Sequence, residues 1–257
     1  MHQDQTDQGV KAAGSAAGEF PPRPPRAPAA SAWRRWRPFL LAAALLIAAA
    51  AALAVDCPLA QWCRTHDCPS ELRNLLSVCE PFGNGAGVLV IALVIHQLDP
   101  VRRWALPRIL ACSWGSGLAA NLIKLLIVRV RPRAFDFHGN VWATFGGWFP
   151  GTRAGYSGQS FPSAHVATAV GLALALIWLY PTGRKLFPAM VVLVAGHRIE
   201  AEAHYLSDVL CGAALGVLVA SACLGTGLLG MGFDRLEGYW RSHSGPPAAS
   251  PNAPPQC

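Results

Sequence analysis

The apolar residues of this chain come in blocks rather than at helical or strand spacing. Ala, Leu, Val and Ile fill six stretches, roughly 38–55, 84–98, 107–128, 163–180, 187–204 and 206–230, and the polar residues crowd between them. A helix needs about 20 apolar residues to cross the hydrocarbon of a bilayer, so these blocks predict membrane-crossing helices. The second block is the weakest, and its start reaches back toward Leu75. The expected fold is all-α, a six-transmembrane helical bundle over residues 38–231. Residues 1–37, with Pro-Pro-Arg-Pro-Pro-Arg and few bulky apolar side chains, read as a disordered cytoplasmic tail, and 232–257 as a second, mostly disordered one.

The first block follows Arg34-Arg35-Trp36-Arg37 and ends in Ala52-Leu53-Ala54, a pattern shared by membrane anchors and cleaved signal peptides. The long segment before it favours an anchor. Counting Lys and Arg sets the orientation. With the N-terminus inside, thirteen fall on the cytoplasmic side (among them Arg102, Arg103, Arg108, Arg184 and Lys185) and eight on the other (including Lys124, Arg131, Arg153 and Arg198). The positive-inside bias supports that arrangement.

Composition agrees with a membrane protein, 53% hydrophobic and 14% charged. The net charge of +7 is not arranged as a basic stripe interleaved with aromatics, so it is assigned to a membrane surface and an anionic substrate rather than to nucleic acid. Cys57, Cys63, Cys68 and Cys79 fall in what reads as one hydrophilic loop on the outer side. Two disulfides there are one outcome, and a zinc site, for which the spacing lacks a CxxC pair, is the weaker one. Cys112, Cys211 and Cys223 lie in apolar runs and read as small core residues.

Three polar clusters stand at the edges of the apolar blocks, where ionisable groups are costly and usually functional. Lys124 and Arg131 are seven apart, two turns on a continuing helix, with Pro132 as its stop. The alternative is a lysine snorkelling to the interface beside an Arg-rich flank for lipid head groups. Pro162-Ser163-Ala164-His165 precedes an apolar run, so Ser163 is placed as an N-cap and His165 in the first turn, where free backbone N–H groups suit an anion. Ser163 as a plain cap and His165 as an interfacial polar residue remain open. Arg198 precedes His204, and Asp208 lies one helical turn beyond it, close enough to orient the imidazole. A structural His–Asp pair is the alternative.

Taken together, Lys124-x6-Arg131-Pro132, Pro162-Ser163-Ala164-His165 and Arg198-x5-His204-x3-Asp208 resemble the three-part signature of the type 2 phosphatidic acid phosphatase superfamily, which holds membrane lipid phosphatases and soluble vanadium haloperoxidases. The resemblance covers about residues 80–230. It departs at Ala164, where the family usually has Gly, and at His197, where it usually has Ser. The resemblance implies a PAP2/haloperoxidase-like core and an integral-membrane phosphatase without metal or cofactor. In it Lys124, Arg131, Ser163, Ala164 and Arg198 bind phosphate. His204 is the nucleophile that forms a phosphohistidine, Asp208 orients it, and His165 protonates the leaving oxygen and then activates water.

The substrate implied is a lipid phosphate or polyprenyl diphosphate that reaches the site from the bilayer, at the outer face of an inner membrane; phosphatidic acid, phosphatidylglycerol phosphate and a phosphorylated outer-membrane lipid are the other candidates. The rivals are a haloperoxidase, against which the spans argue, a catalytically silent lipid-phosphate binding or transport protein, and an intramembrane protease using Ser163. Glu200 and Glu202 read as solvated helix-end residues. The stretch Trp142–Trp148, with Asp136 and His138, reads as an interfacial loop or lid, and His66, Asp67 and Cys68 as surface loop.

Overall fold

A computed structural model describes residues 32–149 and 155–243. The tails at 1–31 and 244–257 and the site of Arg153 lie outside the described residues. Among the described residues eight α-helices run in order: α1 (Ala32–Thr65), α2 (Ser70–Cys79), α3 (Gly85–Leu98), α4 (Leu106–Lys124), α5 (Ala164–Leu179), α6 (Leu186–Glu200), α7 (Leu206–Leu224) and α8 (Leu228–His243). Between α4 and α5 the chain forms a two-stranded antiparallel ribbon, β1 (Ile127–Arg129) with β2 (Phe145–Trp148), so the molecule is mostly rather than wholly helical. The described residues from Arg37 onward form one compact unit.

Two helices among the described residues are long and apolar enough to cross a membrane, Trp36–Thr65 and Leu206–Leu224. Ser70–Gly83 with Gly85–Leu98, bent by 72°, makes a third if the pair is one span. The sequence reading had six. The shortfall has a physical reason: α5 and α6 have 16 and 15 residues, about 24 Å or less of rise against a hydrocarbon core of about 30 Å. α4 carries Arg108 in its first turn and Lys124 as its last residue.

α5 is the centre of the core. Val166, Ala167, Ala169, Leu172, Ala173, Ala175 and Leu176 are all buried against α4, α6 and α7. Small residues permit that approach, as in membrane helix pairs: a Cβ on Gly171 would lie 2.2 Å from the Cys112 carbonyl oxygen of α4, and one on Gly212 of α7 would lie 2.4 Å from the Ser163 carbonyl oxygen. The outward faces of α1, α3 and α4 expose Leu, Ile, Val and Trp, as lipid-facing surfaces do.

Three expectations are corrected. The block 107–128 does not continue as a helix to Arg131; α4 ends at Lys124 and β1 follows. The first span does not stop at Val55; α1 continues to Thr65, so Cys57 and Cys63 lie on a helix and Cys79 ends α2, and these with Cys68 are free thiols. The C-terminal segment is helical through His243, where the sequence reading began a tail at 232. This helix, α8, is amphipathic and is tied to α4 by ion pairs: the buried Arg108 guanidinium lies 2.7 Å from Asp234 and 2.6 Å from Glu237.

Candidate active site

The three polar clusters, far apart in sequence, meet at one end of the helices. Backbone hydrogen bonds stitch them together. Ser163 N donates to Asp208 O, Arg131 N to Ser157 O, Arg133 N to Glu202 O, and His204 N to Arg198 O. Lys124, Arg131 and Arg198 are all buried, at 4–7% exposure, and lie close enough to interact electrostatically with one another and with His165 or His204. Like charges gathered out of water are unfavourable unless something anionic joins them.

Arg131 leaves β1 and is braced by carbonyls: its Nε donates to Tyr156 O at 3.0 Å and its Nη2 to Gln159 O at 3.2 Å, while the Tyr156 ring stacks 3.9 Å from the guanidinium. Ser163 is the N-cap residue of α5, but its hydroxyl makes no capping bond and has no partner, although it is fully buried. Arg198 Nε and His204 Nδ1 are likewise buried without a hydrogen-bond partner. Buried polar groups normally find partners; Ser163 Oγ and Arg198 Nε are thus open donors for an acceptor-rich anion, while His204 Nδ1 faces Asp208.

Asp208 is fully buried near the start of α7. Its carboxylate accepts from Ser160 Oγ at 2.6 Å, from Tyr205 N at 3.0 Å and from the Arg129 guanidinium. His204 Nδ1 lies 3.8 Å from Asp208 Oδ2, which leaves Nε2 as the free ring nitrogen. Burial pushes His204 well below the usual histidine range, to about 4, with Lys124 and Arg131 adding to that and Asp208 opposing it. The ring is therefore neutral at pH 7, the state in which an imidazole can act as a nucleophile.

Sequence reasoning missed a second layer. Arg129 is completely buried between the Tyr205 and Phe145 rings and bonds Asp208 and Ser207 on one side and Asp56 of α1 on the other, at 2.7 Å. Asp56 also accepts from Ser207 N at 3.0 Å, so the first helix is tied to the carboxylate behind His204. A signal existed: Asp56 is the one acidic residue in α1, and ionisable groups inside apolar spans are rarely idle. Glu80, beside His165 and Arg198, had no such signal.

Other expectations resolve at the rim. Glu200 and Glu202 are not simply solvated; they pair with Arg73 and Arg64 at 2.8 Å each. Trp142 and Trp148 are exposed on the ribbon side, beside an apolar cavity of about 630 Å³ between α1, the ribbon and α7 that reaches Arg129 and Ser207. His197 is half-buried, and its Nδ1 has no hydrogen-bond partner. Among the described residues no three His, Cys, Asp or Glu side chains are grouped to hold a metal.

A family model described as the PAP2 superfamily matches residues 105–227. The lipid A 1-phosphatase of Rhizobium etli is 30% identical over 166 residues, 58% of this chain and 68% of its own length. That of Rhizobium johnstonii is 29% identical over 167 residues, 58% of this chain and 65% of its own length. The match thus spans about two thirds of each relative. A transmembrane PAP2 type phosphatidylglycerolphosphate phosphatase from Bacillus subtilis, known as a crystal structure, is similar with a TM-score of 0.51 at 20% identity, over 80% of this chain and 97% of that one. At that identity the likeness is one of fold.

Proposed function

The chain belongs to the PAP2 superfamily as a membrane phosphatase, and we propose that it removes phosphate from a lipid phosphate, with lipid A carrying a 1-phosphate as the leading substrate, through a phosphohistidine. The observation that carries this reading is the set of buried, unpartnered donors, Ser163 Oγ and Arg198 Nε, beside Lys124 and a neutral His204. A phosphoryl group brings the acceptor oxygens that set lacks. The two lipid A 1-phosphatase relatives support the substrate.

In this reading Lys124, Arg131, Arg198, Ser163 and the backbone at Ala164 hold the non-bridging oxygens. His204 Nε2 attacks phosphorus in line, Asp208 fixes the ring, and His165 gives the leaving oxygen its proton and later takes one from water. Phosphoryl transfer asks chiefly for placement and charge complementarity. The charge a metal would neutralise is met by three cations, so no metal is invoked.

The domain that does this is a six-helix membrane body over about 38–231, with its signature in 80–230 and tails at 1–37 and beyond 231. α1, α3, α4, α5, α6 and α7 are its spans, with the bent α2–α3 pair as the second. The N-terminus lies in the cytoplasm, and the site opens on the periplasmic face of the inner membrane. Arg108 and Lys124 at opposite ends of α4 support that polarity, since the cytoplasmic arginines Arg102 and Arg103 lie at the Arg108 end. The test is phosphate release from 1-phosphorylated lipid A, phosphatidic acid and a polyprenyl diphosphate, in detergent with chelator present. Wild type releases phosphate and His204→Ala does not; no release from any of the three by folded protein removes the reading.

A further inference from the structure

Both histidines of the site face a carboxylate, yet only Asp208 belongs to the three sequence clusters. Glu80 begins a 3-10 turn, Glu80–Gly83, directly after α2. Its Oε1 lies 3.1 Å from His165 Nε2 and 3.3 Å from Arg198 Nη1. The fold forces this meeting. A Cβ on Gly83 would come 2.6 Å from the His165 carbonyl oxygen, so the bare glycine lets the turn press against the start of α5 and brings Glu80 to the ring.

Among the described residues only Nε2 of His165 is engaged; Nδ1 makes no hydrogen bond. A cavity of about 350 Å³, lined by Gly83, Asn84, Asn121, Ala164 and Thr168 among others, opens beside the same ring. The other charged or titratable groups acting on His165 are Arg198 from α6, Lys124 from α4 and His204 from the α6–α7 loop. Among the described residues Glu80 is the one carboxylate that touches it.

We propose that Glu80 is a positioning residue for the proton donor: its carboxylate accepts the Nε2–H of His165, aims Nδ1–H at the leaving oxygen and stabilises the imidazolium that donates. The inference rests on the phosphatase reading above. His204 Nε2 forms its bond to phosphorus as the bond to the lipid oxygen breaks. The electron pair departs with that oxygen, which takes the Nδ1 proton. A water molecule then gives a proton to Nδ1 while its oxygen bonds phosphorus and the phosphorus–nitrogen bond opens, returning the pair to His204. Glu80 stays ionised throughout, as a carboxylate that orients a catalytic imidazole does.

The experiment compares kcat/KM of the full chain for two substrates. Lipid A 1-phosphate has a sugar oxygen that needs a proton to leave; 4-nitrophenyl phosphate has a leaving group that needs none. Glu80→Gln is expected to lower the first by about 10–100-fold, a share of the ~10²–10⁴-fold that general acid catalysis supplies, and the second by no more than about threefold. Glu80→Asp recovers part of the loss, and Glu80→Gln added to His165→Ala costs nothing further on the lipid. An equal fall on both substrates, or a full additional loss in the His165→Ala background, assigns Glu80 to phosphate binding or folding and overturns the proposal while the phosphatase stands. A wild type that releases phosphate from neither substrate overturns the phosphatase reading itself.

Discussion

The two histidine–carboxylate pairs of this site are built to different standards. Asp208 is wholly buried and holds Arg129, Ser160 and the Tyr205 backbone besides facing His204, with Asp56 bracing Arg129 from α1. Glu80 and His165 are each about 30% exposed at the side chain and share one carboxylate oxygen with Arg198. The difference fits the mechanism proposed above. A nucleophile gains most from being held in a near-attack geometry, whereas a proton donor must serve a lipid oxygen and then a water, and so sits at the mouth.

The sharpest way to break that contrast is to remove the deep pair. His204→Ala is expected to abolish release from either substrate, a loss of at least ~10³-fold, and Asp208→Asn to cost ~10²-fold or more on both alike, since each acts on the attack itself. Steady-state kinetics with lipid A 1-phosphate and 4-nitrophenyl phosphate checks this. If Asp208→Asn spared the aryl substrate, both carboxylates would serve leaving-group departure and the division of labour would fall.

Next in size is a stability effect. Asp56→Ala strips the buried Arg129 of one of its two carboxylates, and breaking a buried ion pair from one side costs about 3–5 kcal/mol. Thermal unfolding in detergent should show a large drop for Asp56→Ala and almost none for Glu80→Gln. Equal shifts would mean that the mouth is as fixed as the floor.

The division also explains what the sequence could show. Lys124, Arg131, Ser163, His165, Arg198, His204 and Asp208 stood out because they cluster at the ends of apolar runs, and the structure brings all seven together. Their geometry was partly misread: Lys124 and Arg131 do not share a helix face, because α4 ends and the chain turns into β1. Strand pairing between residues 127–129 and 145–148 is a non-local fact, invisible to periodicity in short segments. Asp56 was hidden by ending the first span at Val55. Glu80 was hidden altogether, since only the close seat of Gly83 against α5 makes it a neighbour of His165. Span count was least legible, because an apolar block does not fix the length of the helix that forms in it, 16 residues in α5 and 15 in α6.

A moderate effect on stability comes from the deep histidine and pH. Burial holds His204 near 4 in the folded chain, against about 6.5 unfolded. Between those values the unfolded chain binds the extra proton, so stability is fully present above about 6.5 and is lost as pH falls toward 4. Melting temperature should therefore drop more steeply between pH 6.5 and 4 in wild type than in His204→Gln. Parallel curves would show that folding leaves His204 at its ordinary pKa, and the burial of the pair would then play no part in keeping the ring neutral.

The smallest effect tests whether the mouth is clamped from outside. Arg73 of α2 pairs with Glu200 of α6, its side chain 53% exposed and that of Glu200 20%, and α2 leads directly into Glu80. An exposed pair of this kind is worth about 0.2–1 kcal/mol. A double-mutant cycle with Arg73→Ala and Glu200→Gln should return a coupling in that range and kcat/KM within about twofold of wild type, because Gly83 rather than the ion pair seats the turn. A coupling several times larger, with a matching loss of activity on the lipid but not on the aryl phosphate, would place the control of Glu80 in α2 and make the His165 pair as firmly held as the one beneath it.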